Sequence, residues 1–326
     1  MKIASLQFSP VIGKREENIN RAQSLLEVSG LRQGDVDLLV LPELAFPGYN
    51  FASSAHIKPC LEEQANGITR FWAVSTAQGL GCHVIVGYPE SSVTNDVGAY
   101  NAAYVVSPGG DVVGNYRKTH LYYTDETWAA EGDGFFCQNV DGLGVVGLGI
   151  CMDINPYQFK APWQAYEFAN HVLAGGARLV VLSMAWLTRL DESVLKQSAS
   201  EPDMDTLTYW LERFYPFMAA KLEYDVVVVF CNRCGTEPNE PRTMVVKSGQ
   251  VVPLLESTVC YAGSSCVVKF KANGRGVEIL DVLGKAEEKV LIVDTEQTEA
   301  RYQLRQKATE SFDGDVEQGR EAHAPC

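Results

Sequence analysis

Three residues that could together split an amide bond each lie at or just past the end of an apolar, strand-like run. They are Glu43 in LLVLPE, Lys118 in NYRK and Cys151 in GLGIC. Because the carboxyl ends of parallel strands open onto one cleft of an α/β sheet, we expect the three side chains to meet there. A carboxylate, a cation and a thiol in one cleft are the parts of a cysteine hydrolase.

Hydrolysis of a primary amide needs a strong nucleophile, a stabilised oxyanion and a protonated leaving nitrogen. The thiolate is the reactive form of cysteine, and the Lys118 ammonium is expected to lower the thiol pKa of Cys151. The same ammonium and the backbone N–H of Met152 would bind the oxyanion. Glu43 would take the thiol proton, give it to the departing nitrogen and later activate water. Each residue alone has a structural explanation, and only the set favours catalysis.

The composition limits the class of protein and its partners. The chain has 326 residues, of which 46% are hydrophobic and 21% are charged, as is usual for a globular protein. A net charge of -14 argues against nucleic acid or an anionic membrane as a partner. No segment approaches the roughly 18 apolar residues of a membrane span.

The cysteines indicate neither a metal site nor a disulfide framework. Cys231 and Cys234 form a CxxC string, but no second pair or histidine cluster accompanies it, so we predict no metal. The N-terminus begins with a strand pattern and lacks the features of a signal or transit peptide. We therefore expect reduced thiols in a cytoplasmic protein.

Short apolar runs alternate with helical patterns along most of the chain. Strands are predicted in KIASLQF, LLVLPE, HVIVGYP, AAYVVSP, DVVGNYRK, VVGLGIC, LVVLSM, VVVVFCN, CVVKF and KVLIVDT. Helices are predicted around Ile19 to Leu26 and over 67–78, 161–172 and 207–222. The order is β-α-β with one inserted hairpin, and the near-continuous apolar strands predict sheets covered on both faces.

The absence of a linker or repeat predicts one domain over residues 1–302. The segment 303–326 is polar and has few residues that could join a core. It is either a disordered tail or an arm laid over a partner, and we prefer the tail.

The local contexts of the three residues resemble a known family. LPELAFPGY, YRKTHL and GLGICMD are similar to the three signature segments of the nitrilase (carbon–nitrogen hydrolase) superfamily, and the resemblance covers about residues 1–295. It implies an α/β fold of four layers, an α-β-β-α sandwich with two mixed sheets. It also implies a Glu43–Lys118–Cys151 triad without metal or cofactor, and a homodimer. A second acid near the lysine is implied too; Asp125 and Glu126 compete for that place, and we prefer Glu126.

Further strings narrow the resemblance to one branch of the superfamily. GICMDINPYQFKAP, SMAWLT, EPDMDTLTYWLERFYPF, FCNRCGTE and YAGSS are similar to segments of the fungal protein N-terminal amidases. This implies hydrolysis of the side-chain amide of N-terminal Asn or Gln to the acid, with release of ammonia, in the N-degron pathway. The resemblance implies a longer insertion between SMAWLT and EPDMD than this chain has. Substrate contacts that would depend on such an insertion therefore stay open.

The residues after the nucleophile bear on the substrate. Many relatives that hydrolyse substrates with a free carboxylate have an arginine near the position of Asn155, where a guanidinium would bind the acid. Asn155 therefore argues against such substrates, although arginines from elsewhere could approach: Arg178, Arg189, Arg213 or Arg233. We expect Arg233 to brace neighbouring groups.

A peptide N-terminus carries an α-ammonium, which acids or carbonyls would bind. The candidates are Asp153 beside the nucleophile and the acidic loop of Glu201, Asp203 and Asp205. Alternatively, Asp153 braces the turn after Cys151 and the loop acids are only solvated. Aromatic walls of the pocket are expected from side chains that could equally be core residues: Tyr49, Tyr157 and Trp186.

Two other functions stay open at this point. One is a small-molecule amidase or nitrilase of the same superfamily. The other is a non-catalytic scaffold that retains the fold as an interaction module, against which the intact triad counts.

Overall fold

The strands largely follow the apolar runs of the sequence. The structure is a computed structural model that describes residues 1–92, 98–239, 244–247, 250–253, 258–272 and 276–304. In chain order the strands are β1 (Lys2–Gln7), β2 (Leu38–Val40), β3 (His83–Ser91), β4 (Ala99–Val106), β5 (Val112–Arg117), β6 (Phe136–Val140), β7 (Gly144–Ile150), β8 (Leu179–Met184), β9 (Val226–Asn232), β10 (Thr236–Pro238), β11 (Met244–Lys247), β12 (Gln250–Pro253), β13 (Thr258–Cys260), β14 (Cys266–Phe270), β15 (Val277–Val282), β16 (Lys289–Asp294) and β17 (Tyr302–Leu304).

Helices connect many of these strands. They are α1 (Arg15–Ser29), α2 (Ser54–Ile57), α3 (Ile68–Leu80), α4 (Glu167–Ala174), α5 (Glu192–Gln197), α6 (Met204–Arg213) and α7 (Tyr215–Ala219). Short 3-10 turns occur between them, including Asp125–Thr127 and Cys151–Ile154. Within the described parts of the chain, every helix is too short or too polar to cross a bilayer.

Two large sheets organise the chain. One has six strands in the order β16-β1-β2-β3-β4-β5, and the other has seven in the order β17-β15-β14-β9-β8-β7-β6. Strands β1, β2 and β3 run parallel in the first sheet, as do β7, β8 and β9 in the second. All residues of β4 and β8 are buried, which confirms the prediction of sheets covered on both faces.

The core has the layers of a sandwich. One cluster joins Ile3 and Ile85 of the first sheet to Leu148 and Ile150 of the second. A separate cluster packs residues of the first sheet against α1 and α3, through Ala22, Leu26, Trp72, Ala73 and Ala77. On the second sheet, Trp210 of α6 stacks on Phe230 of β9, with ring centroids 5.0 Å apart. This α-β-β-α order confirms the predicted four-layer fold.

Several predicted elements differ in extent from the observed ones. The helix predicted over 161–172 begins as α4 only at Glu167, after Tyr166 in a left-handed conformation with φ 44. The helix predicted over 207–222 divides into α6 and α7, because Pro216 lies in the first turn of a new helix and has no N–H to donate. The strands that were not predicted are β6, β10, β11, β12, β13, β15 and β17.

The predicted tail begins two residues too early. Gln303 and Leu304 belong to β17, which pairs with β15. Residues 305–326 lie outside the described chain, and the single domain over 1–302 stays a prediction.

Candidate active site

The three predicted catalytic residues converge, but they come from two sheets rather than one. Glu43 lies just past β2 and Lys118 directly follows β5, both in the six-stranded sheet, whereas Cys151 directly follows β7 of the seven-stranded sheet. The Lys118 Nζ lies 2.5 Å from Glu43 Oε1. Face-to-face packing of the sheets therefore assembles the site.

The backbone is strained at Cys151 and beside Glu43. Cys151 has φ 42 and Leu44, next to Glu43, has φ 43, values that non-glycine residues seldom adopt. Strand β3 comes so close to this segment that a Cβ on Gly87 would lie 2.8 Å from the Glu43 Cα. Glycine at position 87 thus permits the placement of Glu43.

Lys118 lies between two carboxylates in a fully buried cluster. Its Nζ is 2.5 Å from Glu43 Oε1 and 2.5 Å from Asp125 Oδ2, and all three side chains are 0% exposed. The Asn101 amide bridges the same acids, donating to Glu43 Oε1 at 2.7 Å and to Asp125 Oδ1 at 3.0 Å. The backbone N–H of Ala185 donates to Glu43 Oε2 at 2.9 Å. One ammonium therefore faces two acids away from water.

This arrangement sets the protonation of the site. Burial raises the pKa of Glu43 to about 7; the Lys118 ammonium opposes the shift and the Asp125 charge adds to it. Burial also raises the pKa of the Cys151 thiol well above its usual value, and the Glu43 charge adds to that rise against the effect of Lys118. Lys118 thus lowers the thiol pKa of Cys151 as expected, but burial and the Glu43 charge outweigh its effect. The thiol is neutral and needs a base.

The acid beside the lysine is Asp125, and the preference for Glu126 is corrected. The two residues occupy a 3-10 turn that directs consecutive side chains differently, so Asp125 is buried while Glu126 is exposed. Asp125 Oδ2 also accepts from the Tyr122 N–H at 3.0 Å and from the Tyr49 hydroxyl at 3.3 Å.

Substitutions at the two adjacent positions distinguish the roles of Asp125 and Glu126. Asp125→Asn removes one of the two charges on Lys118, and we expect kcat/KM to fall about 10- to 100-fold because the ammonium loses a charge-assisted contact. Glu126→Gln should remain within about twofold of wild type, since exposed charges contribute little. Initial rates of ammonia release measure both; equal losses in the two variants would contradict the assignment.

Cys151 lies in a cleft of about 340 Å³, open to solvent. Four predicted substrate-binding residues line it, namely Tyr49, Met152, Asn155 and Trp186. Sequence reasoning missed Tyr122, Phe159, Ala185 and Leu187, which complete the lining. Tyr157 is 39% exposed and is not among the lining residues, so its predicted place in the wall is wrong.

Asp153 braces the site and is not available to substrate. Its carboxylate is 0% exposed and accepts from four donors: the Ile150 N–H at 2.7 Å, the His120 N–H at 2.8 Å, the Thr119 N–H at 3.1 Å and the Tyr116 hydroxyl at 2.7 Å. The predicted substrate contact of Asp153 is therefore wrong, and its alternative role as a brace holds. It ties the segment after Lys118 to the turn that carries Cys151.

Asn155 keeps its side chain in the cleft through two contacts. Its Oδ1 accepts from the Tyr209 hydroxyl at 2.6 Å, and its Nδ2 lies 3.2 Å from the Met152 sulfur. The amide oxygen has a second lone pair for a substrate N–H.

The four arginines named from the sequence lie outside this cleft. Arg233 pairs with Glu237, as expected of a bracing residue, and Arg213 donates to the carbonyls of Ile154 and Trp163. Arg178 stacks on Tyr224, 4.0 Å from its ring centroid. Arg189 lines a neighbouring cleft of about 680 Å³.

The neighbouring cleft continues the first one. It shares Trp186 and Leu187 with the cleft of Cys151 and is also lined by Asp203, Asp205 and Tyr209. Asp203 caps α6 and accepts from the Thr188 hydroxyl at 2.7 Å, whereas Asp205 is exposed. Of the predicted acidic loop, Asp203 and Asp205 line this neighbouring cleft and Glu201 does not.

Asn101 is a further site residue that was not predicted from the sequence. It lies in the fully buried strand β4, and its Oδ1 has no hydrogen-bond partner. An amide inside an otherwise apolar strand (AYNAAYVV) was the available signal, since buried polar groups usually have a specific partner. Among the described residues, no group of three or more His, Cys, Asp or Glu side chains could hold a metal ion.

Comparison with known proteins agrees with this geometry. A sequence profile of the carbon–nitrogen hydrolases matches residues 2–160. The protein N-terminal amidase of Schizosaccharomyces pombe is 32% identical over 311 residues, an alignment that covers 91% of this chain and 100% of that protein. The chain therefore belongs to the carbon–nitrogen hydrolases and, within them, to the protein N-terminal amidase family.

Solved structures share the fold. An N-terminal amidase with an Asn-Glu-Ala peptide has a TM-score of 0.74, and one with a Gln-Val peptide has 0.72. Both are 23% identical to this chain and cover 90% of it, which corresponds to 97% and 96% of their own lengths. At this identity the likeness establishes the architecture.

Proposed function

We propose that this chain hydrolyses the side-chain amide of an N-terminal asparagine or glutamine of a peptide or protein, leaving the acid and releasing ammonia. The observation that carries the proposal is the buried cluster of Glu43, Lys118 and Asp125 beside Cys151, at an open cleft. The Schizosaccharomyces pombe relative is a protein N-terminal amidase, and the similar structures hold peptides that begin with Asn or Gln.

In the first half-reaction the thiol must lose its proton as it attacks. Glu43, whose pKa is raised to about 7, takes the proton from the neutral Cys151 thiol while the sulfur bonds to the amide carbon. The Lys118 ammonium and the Met152 N–H stabilise the oxyanion. Glu43 then gives its proton to the nitrogen, the C–N bond breaks and ammonia leaves a thioester.

In the second half-reaction water replaces the sulfur. Glu43 removes a proton from the water that attacks the thioester carbon, and the C–S bond breaks. The proton returns to the Cys151 sulfur, and the carboxylic acid departs. Asp125 stays on Lys118 throughout, which keeps the ammonium in place while Glu43 changes its charge.

The cleft fits an uncharged amide better than a free acid. None of the nine described residues that line it is an arginine or a lysine. Its wall contains the aromatic side chains of Tyr49, Tyr122, Phe159 and Trp186. Aromatic faces and the Asn155 oxygen accept a substrate α-ammonium, for which Asp153 is not available.

The rest of the peptide has a path along the surface. The neighbouring cleft adjoins the first at Trp186 and Leu187, and it has room for the residues that follow the amide-bearing one. Asp205 is exposed there and can attract the positively charged N-terminus.

We also propose the wider setting that the family resemblance implies. The product, an N-terminal Asp or Glu, would enter the N-degron pathway in the cytoplasm. Eight cysteines among the described residues are free thiols, which is compatible with a reducing compartment. A single catalytic domain and a homodimer are part of the same proposal.

A panel of peptides that differ only in the first residue tests the function. We expect mass spectrometry to find amide-to-acid conversion of peptides beginning with Asn or Gln, and none of their N-acetylated forms. Equal turnover of acetylated peptides would refute recognition of the α-ammonium. Hydrolysis of free glutamine analogues or nitriles without any activity on peptides would favour the small-molecule amidase instead.

A further inference from the structure

A buried carboxylate behind the cleft is fixed on one side by a cation and a phenol. Glu237 of β10 is 1% exposed and forms an ion pair with Arg233. Its Oε2 accepts from the Tyr261 hydroxyl at 2.5 Å, and the Arg233 guanidinium lies 3.8 Å from the Tyr261 ring centroid. Arg233 also donates to the Pro10 carbonyl at 3.0 Å. These contacts hold the Glu237 carboxylate in one place.

The other side of this carboxylate holds the segment that follows Glu43. Glu237 Oε1 accepts from the Tyr49 N–H at 3.1 Å, and Oε2 accepts from the Asn50 N–H at 2.8 Å. Gly48 has φ 83, and a Cβ there would lie 2.6 Å from Glu237 Oε1. Because two successive N–H groups meet one carboxylate, the direction of the Tyr49 side chain is fixed.

Tyr49 joins this support to the catalytic cluster. Its ring lines the cleft of Cys151, 5.7 Å from the Lys118 Nζ. Its hydroxyl donates to Asp125 Oδ2 at 3.3 Å, the same oxygen that binds Lys118 at 2.5 Å. A shift of the Tyr49 backbone would thus displace the Asp125 carboxylate and, through it, the Lys118 ammonium.

We propose that Glu237 is a positioning residue of this active site, which holds Tyr49 so that its hydroxyl bonds Asp125 and keeps the Lys118 ammonium oriented. The activity measurements rest on the proposed function. If Glu237 served the fold alone, its loss would act independently of the Tyr49 hydroxyl.

A double-mutant cycle between Glu237 and that hydroxyl tests the proposal. We expect Glu237→Gln to lower kcat/KM about tenfold in the wild-type background and less than about threefold in the Tyr49→Phe background. Rates are normalised to the concentration of folded protein. Equal fold-losses in the two backgrounds would overturn the proposal.

Glu90 offers a matched control for the fold. It is 1% exposed, pairs with Arg117 and accepts from the Tyr88 hydroxyl at 3.0 Å, and its side chain contacts neither Tyr49 nor Asp125. Glu90→Gln should change kcat/KM by the same factor in both backgrounds, as independent sites do. Coupling of Glu90 to Tyr49 as strong as that of Glu237 would show a general loss of structure and overturn the proposal.

A milder variant and a substrate-free measurement keep the test decisive. Tyr261→Phe removes one donor to Glu237 but retains the ring under Arg233, so it decides the question if Glu237→Gln does not fold. We expect Tyr261→Phe to be coupled to Tyr49→Phe in the same sense as Glu237→Gln but more weakly. Strictly additive effects of the two substitutions would overturn the proposal.

The same double-mutant cycle can be measured without substrate, as the rate at which iodoacetamide alkylates Cys151. The surrounding charges govern thiol reactivity, so this rate reports on the arrangement of the site. A wild-type protein that deamidates no peptide would count against the proposed function alone.

Discussion

Replacement of Cys151 by serine is expected to lower kcat for a peptide with N-terminal glutamine about 10⁴-fold or more. The site is built around a neutral thiol whose proton passes to a base with a raised pKa of about 7, Glu43. A serine hydroxyl is much less acidic than a thiol, so the same base would be too weak for it. The loss of kcat is measured by quenching the reaction at fixed times and assaying the ammonia released.

The control for this variant is another cysteine of the same chain. Cys137 lies on β6, is half-buried and does not line the cleft. Cys137→Ser should keep kcat within about twofold, since its sulfur lies outside the cleft and its hydrogen bond to the Val172 carbonyl is weak, at 3.9 Å. Substantial activity of Cys151→Ser, with loss in Cys137→Ser, would place the nucleophile elsewhere.

The second large effect concerns Glu43 and the pH dependence. A base with a pKa of about 7 is protonated below that pH and cannot take the thiol proton. We therefore expect kcat/KM of the wild type to rise roughly tenfold per pH unit below about pH 7 and to level off above it. Glu43→Gln should lower kcat/KM about 10²- to 10⁴-fold and abolish this acid limb.

Glu62 separates the role of Glu43 from the effect of any buried glutamate. It is 4% exposed and accepts from the Thr69 N–H and hydroxyl at 2.9 Å and 2.8 Å, away from the site. Glu62→Gln should lower stability but retain the acid limb. An acyl-enzyme that accumulates in Glu43→Gln at the wild-type rate would contradict the proton transfer assigned to Glu43.

The sequence pattern predicted most of the strands and the three central residues, whereas the four layers of the fold were implied by the family resemblance. Glu43 and Cys151 follow strongly apolar runs, and Lys118 follows the less apolar strand β5, so the strand ends predict that the three share a cleft. That two sheets supply them depends on how the sheets pack, which the strand pattern does not contain.

Neighbouring residues could not be assigned from the sequence alone. Asp125 and Glu126 are adjacent in the chain, and only the 3-10 turn decides which one points at Lys118. Asp153 was open to two roles until four donors were seen to surround it. The net shift of the Cys151 thiol pKa also depends on burial, which outweighs the nearby cation.

The most direct test is intact-protein mass spectrometry of acid-quenched mixtures with a glutamine-initiated peptide. We expect a transient adduct equal to the peptide mass less ammonia, located on Cys151 by digestion and absent in Cys151→Ser. Turnover without any adduct on Cys151, or an adduct on another cysteine, would contradict the thioester mechanism proposed for Cys151.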